Sequence, residues 1–157
     1  MDSGRTAAGC WIVGATVYLA SEALAAKALP GYSYLYNYLS DLGVATVMNV
    51  GFVVHGALFA VGAVVVTHGA EPVLTRRGFV AAAAVNALGN VVIAVFPSYL
   101  DTKVPWHGIG AGLAIIGGNL ALVVGGGAGR WSWCRSVYPI IVWELVTAVV
   151  LLAGRSR

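Results

Sequence analysis

Three ionisable side chains fall inside long apolar runs of this sequence: Glu22, His55 and Glu144. A carboxylate and an imidazole are the smallest set that can do general acid–base chemistry, since one holds the proton that the other takes. In lipid such groups are costly, so each is a functional candidate by default. Four amides, Asn49, Asn86, Asn90 and Asn119, lie in the same apolar runs, and Asp41 and His107 stand at their mouths.

Asp41 belongs to the stretch NYLSDLG at residues 37–43, and two readings of it compete. One is a helix cap, with Ser40 as N-cap and Asp41 in the first turn, where the helix dipole favours an acid. The other is a site. Asp41, Met48, Phe52 and His55 follow i, i+7, i+11, i+14 and share one helix face. At 1.5 Å per residue His55 falls about 21 Å along the helix from Asp41, so the two could line one groove without touching. His107 opens the fourth apolar run, where the dipole favours neutral imidazole, suited to a base or a metal ligand. If the second and fourth helices are neighbours, Asp41 can orient His107 as a general base, with Ser40 as a weaker candidate nucleophile.

The catalytic candidates are therefore Asp41, His107, His55 and Glu144. The candidates for holding a substrate are Ser40, Asn49, Asn86, Asn90, Tyr99 and Trp106. Each has a plainer reading. Mid-span His and Asn commonly tie helices together, and Gly108-x-x-x-Gly112 suits close helix approach. Tyr99 and Trp106 suit an interfacial aromatic belt. Asp101 and Lys103 suit a solvated loop. The glycines of the fourth run lack the strand and GKS context of a phosphate loop. Asp41, His55, His68 and His107 are the available metal ligands, without HxxxH or HExxH spacing, so no metal is expected. Cys10 and Cys134 form no CxxC motif, and no cofactor is expected.

These residues need elements to carry them. The chain has 157 residues, 59% hydrophobic and 10% charged, with mean hydropathy +0.85. A soluble domain carries about 25% charged residues, so the composition points to an integral membrane protein of one domain. Its net charge of +3 comes largely from Arg in short loops, which signals topology rather than nucleic-acid binding. Five runs approach the ~20 residues that a span needs, at roughly 8–28, 44–67, 79–97, 108–127 and 137–154. Lipid forces each to be a helix, giving an all-α five-helix transmembrane bundle. Ala23-Leu24-Ala25 could pass as a signal-peptide cleavage site, but Glu22 interrupts the apolar run and argues against one. Arg5, Arg76, Arg77, Arg130 and Arg135 put the N-terminus in the cytoplasm. Strict alternation then puts the C-terminus outside, against the pull of Arg155 and Arg157. On that topology both cysteines are cytoplasmic and unpaired.

The succession of YNYLSDLG, an Asn49-containing helix with GFVVHG, TRRGF, and GNVVIAVFPSYLDTKVPWH resembles the domain-of-unknown-function family 998 (DUF998). That family consists of small multi-pass bacterial and archaeal membrane proteins. The resemblance covers residues 32–127. It rests on Ser40, Asp41, Leu42 and Gly43, on Asn49, on Phe96 and Pro97, and on His107. Leu39 stands where the pattern has Ile. The resemblance implies a helical bundle, often of six spans where five are read here, and assigns no activity. The SDLG segment is also similar to that of the DRAM and Sfk membrane families, which are associated with lipid handling.

The expectation is a polar pocket at the outer mouth of a bundle in the cell membrane. It would bind, or act by acid–base chemistry on, a lipid or terpenoid-like amphiphile, in the manner of a hydrolase, isomerase or cyclase. The alternative is a non-catalytic subunit or assembly factor of a larger membrane complex. Homo- or hetero-oligomers fit either reading, and nucleic acid fits neither. A proton relay or transporter is a weaker third reading, since no repeat or broken-helix pair is visible.

Overall fold

The structure is a computed structural model and describes residues 3–68, 73–100, 103–126 and 138–153. Its helices are α1 (Ser3–Ala28), α2 (Thr46–Val66), α3 (Val73–Val95), α4 (Trp106–Gly126) and α5 (Tyr138–Ala153). A short 3-10 turn, Leu39–Val44, precedes α2. Four of the helices are long and apolar enough to cross a membrane, and α5 is an apolar helix of 16 residues, or about 24 Å. This is an all-α, multi-pass membrane protein.

The helices outrun the apolar segments that announce them. α1 begins at Ser3 and α3 at Val73, ahead of the 8 and 79 read from hydropathy. The added turns carry polar residues such as Arg5, Thr75, Arg76 and Arg77. Hydropathy marks the solvent, whereas the helix continues as long as its hydrogen bonds do. The loop after α1 turns at Gly31, whose φ of 80° is open to glycine at little cost.

The order around the bundle is α5, α1, α2, α3, α4. α1 packs on α2, α2 on α3 and α3 on α4, while α5 leans on α1 and meets α4 lightly. α3 therefore separates α2 from α4. Burying apolar groups gives little driving force in lipid, so close fit must hold the helices. A Cβ at Gly117 would sit 2.5 Å from Asn86 N, and one at Gly110 would sit 2.9 Å from Ile93 N. On the α1–α2 seam, a Cβ at Gly51 would meet Ser21 at 2.7 Å. Gly108 and Gly112 have no such neighbours. The sequence-level reading of Gly108-x-x-x-Gly112 as the packing motif is thus corrected. The α4 glycines that meet the α3 backbone are Gly110 and Gly117, seven apart on a different face, and Gly89 of α3 faces Gly110 and Ala114 in return.

Two buried clusters fill the bundle. One, around Trp11, Phe59, Phe79 and Ile140, lies towards the end where α1 and α3 begin, called here the basic end. The other, around Tyr18, Leu42, Met48, Phe52 and Ile141, lies towards the SDLG end.

α5 does not continue the alternation. Its first residue, Tyr138, bonds Glu22 near the SDLG end of α1. Its later residues Thr147 and Leu151 meet Thr67, Arg76 and Gly125 at the basic end. α5 thus runs parallel to α2 and α4, and antiparallel to α1. The expectation that the two termini lie on opposite sides is corrected: α5 ends on the side where α1 starts. Counting spans assumed that each reverses the last, and α5 breaks that assumption.

Candidate functional site

α2 presents Met48, Phe52, His55 and Phe59 to the interior, and α5 presents Ile140, Ile141, Glu144 and Ala148. Where these faces meet, His55 Nε2 lies 2.9 Å from Glu144 Oε2. Both side chains are 0% exposed. Gly14 lets α1 approach here, since a Cβ at that position would stand 3.3 Å from Leu58 Cβ, closer than ordinary contact. The imidazole is held between Tyr18, at 5.0 Å between ring centroids, and Phe59, stacked at 6.4 Å. His55 Nδ1, Glu144 Oε1 and the Tyr18 hydroxyl are buried without hydrogen-bond partners. One hydrogen bond joins Nε2 and Oε2, and each partner retains a second buried polar atom outside it.

Glu22 lies one turn from Tyr18 on α1. The Tyr138 hydroxyl donates to Glu22 Oε1 at 2.9 Å, and Oε2 has no hydrogen-bond partner. In the loop beyond, burial and then the charge of Glu22 raise the Tyr34 phenol above its usual range. Burial, followed by Tyr34, Glu22 and Asp41, does the same for Tyr32. Acids and phenols therefore extend from the SDLG end down to the His55–Glu144 pair. Sequence reading named Glu22 but missed Tyr18 and Tyr138 as its companions. The i, i+4 spacing of Tyr18 and Glu22 inside an apolar run was the available signal.

The SDLG end is built differently from the expected site. Asp41 Oδ2 accepts the Tyr38 backbone N–H at 3.0 Å, closing the 3-10 turn. Ser40 is half-buried in that turn rather than capping α2, which begins later. The Asn49 amide donates to Gly43 O at 2.9 Å, and a Cβ at Gly43 would lie 3.0 Å from Asn49 Oδ1 and 3.6 Å from Pro97. His107 Nδ1 bonds Phe96 O at 2.9 Å, securing the end of α3, and its Nε2 is buried without a hydrogen-bond partner. Trp106 stacks on Phe96 at 5.8 Å, and Tyr99 is exposed. Asp41 and His107 thus serve separate backbone groups and do not pair, as the separation of α2 from α4 requires. SDLG, Asn49, Pro97 and His107 together form a corner that joins the mouths of α2, α3 and α4.

The amides tie helices. Asn86 donates to Ala114 O across the α3–α4 contact at 2.7 Å, and Asn90 donates to Asn86 O at 3.0 Å. Asn119 bonds its own helix at Ile115 O. Cys10 is a half-buried free thiol. Asp101 and Cys134 lie outside the described residues. Lys103 is exposed, as is His68, which borders a cleft at the basic end with Arg76 and Arg77. A second cleft there is lined by Trp11, Thr67, Arg76, Phe79 and Trp143 among others. Both clefts open at the end opposite the SDLG mouth.

The family model described as "Protein of unknown function (DUF998)" matches residues 12–155. No curated protein and no solved structure matches the chain.

Proposed function

The chain belongs to the DUF998 family, and from its buried polar groups we propose that it binds, and acts by acid–base chemistry on, a lipid or terpenoid-like amphiphile. The observation that carries this reading is the His55–Glu144 pair, 2.9 Å apart and 0% exposed, with Nδ1 and Oε1 unpartnered. A helix-tying role needs one bond per side chain and gains nothing from two ionisable groups in lipid. An acid–base role needs both. In this reading Glu144 delivers the proton, His55 accepts one, and Tyr18 and Glu22 orient a polar substituent. Such a pair suits hydrolysis, isomerisation or cyclisation of an apolar substrate. The membrane is the cell membrane, and the basic end faces the cytoplasm.

The test is to purify the chain from native membranes with its co-extracted lipids and identify them by mass spectrometry. Glu144→Gln and His55→Asn keep size and hydrogen-bonding capacity. Each should lose turnover of the identified amphiphile while remaining folded. Turnover retained in both variants sinks the assignment.

The alternative, a non-catalytic subunit or assembly factor, draws on the outer mouth, where Asp41 and His107 serve backbone groups alone. It predicts a partner protein that co-purifies in fixed ratio and no change in the lipids recovered from Glu144→Gln.

A further inference from the structure

The groove at the basic end has a different character from the buried pair. Trp11, Phe79 and Trp143 form its wall, with the two indole centroids 5.3 Å apart. Arg76, Thr67 and Thr75 stand at its rim. Among the described residues the sole ion pair is His55–Glu144, so no described carboxylate neutralises Arg76. Phe59 fills the space between the ring wall and His55, touching Phe79 and Trp143 on one side and stacking on the imidazole on the other. The groove is therefore closed off from the acid–base pair and independent of it.

We propose that this groove binds an anionic phospholipid, with Arg76 on the phosphate and the acyl chain along Trp143, Val124 and Leu151. Three features choose that occupant. The groove lies at one end of a membrane bundle, between the last turn of α2 and the first turns of α3. A planar guanidinium matches a phosphate through paired N–H donors. The partly exposed apolar lining of Trp143, Val66, Val124 and Leu151 offers area that a free phosphate could not use and a lipid tail can. Arg77 lies outside this groove and lines the neighbouring cleft, so it supplies surface charge without contributing to the site.

The experiment reconstitutes the full chain in phosphatidylcholine bilayers and reads tryptophan fluorescence. Phosphatidylglycerol or phosphatidylcholine with brominated acyl chains is added at equal mole fraction. Brominated phosphatidylglycerol should quench more strongly, and Arg76→Gln should weaken its apparent affinity roughly tenfold. Arg77→Gln removes the same charge and should weaken it by well under that, because general surface attraction is all it loses. Thr147→Leu narrows the groove without altering charge and should also reduce the preference, which provides a second variant if Arg76→Gln does not fold. Equal quenching by the two lipids overturns the proposal. So does an equal effect of Arg76→Gln and Arg77→Gln, which would indicate surface charge only. Loss of the preference on adding inorganic phosphate would make the ligand a free anion and overturn the lipid assignment.

Discussion

At the scale of single residues, the two polar constellations of this protein differ in how much a mutation should cost. Removing one partner of the His55–Glu144 pair leaves the other buried and unpaired. His55→Leu should therefore destabilise the fold by about 3–5 kcal/mol. His55→Leu with Glu144→Met replaces the pair by apolar groups and should recover much of that loss. A double-mutant cycle in detergent, followed by thermal unfolding, measures the coupling. A double variant no more stable than His55→Leu would mean that the pair is not coupled as drawn. If instead the double variant folds well, stability cannot be the reason for two ionisable groups in the membrane, and the functional reading gains. Asp41 behaves as a cap. Asp41→Asn keeps an acceptor for Tyr38 N–H and should cost only a few tenths of a kcal/mol, whereas Asp41→Ala should cost about 1 kcal/mol. An Asp41→Asn variant that folds normally but loses all turnover of the amphiphile would return Asp41 to the catalytic set. The sequence named all these residues correctly as polar groups in or near lipid. It could not say which would meet, because His55 and Glu144 are 89 positions apart and their encounter depends on the placement of α5.

At the scale of elements, hydropathy made the five helices legible, and their packing stayed hidden. A helix face is set by periodicity, but the choice between two glycine rows depends on which neighbour arrives. Gly108 and Gly112 look like a helix-packing motif and face open space, while Gly110 and Gly117 let α4 approach α3. The contrast predicts a position-specific response. Gly117→Leu should push α4 from α3, break the Asn86–Ala114 bond and destabilise the protein by about 1–3 kcal/mol or more. Gly112→Leu should leave thermal stability nearly unchanged. Equal losses from the two substitutions would mean that α4 is rotated from the orientation described. The SDLG corner teaches the same lesson. Its residue types suit a catalytic mouth, yet Asp41, Asn49 and His107 each bond a backbone group of a nearby turn or helix end. Local hydrogen bonds of this kind can be anticipated from Asp, Asn and Gly near a helix start. Their join to Pro97 and the end of α3 cannot, since it is a tertiary contact.

At the scale of the whole molecule, the direction of α5 determines both sidedness and the site. Only a helix entering from the SDLG end can put Tyr138 on Glu22, Glu144 on His55 and Leu151 beside the end of α2. The same direction places the last described residue, Ala153, on the side of Ser3. Single cysteines introduced at Ser3, Ala153 and Tyr36, in a chain lacking Cys10 and Cys134, test this directly. Tyr36 is 88% exposed in the loop at the SDLG end. A membrane-impermeant maleimide applied to sealed, oriented vesicles should label Ser3→Cys and Ala153→Cys from one side, and Tyr36→Cys from the other. If Ala153→Cys labels with Tyr36→Cys, α5 runs the opposite way, and Glu144 approaches His55 with Tyr138 at the basic end. The Glu22–Tyr138 bond would then be lost, and the chain of acids and phenols leading to the pair with it. The labelling pattern therefore decides more than topology. It decides whether the buried acid–base pair is joined by polar groups to one face of the membrane or stands isolated in its middle.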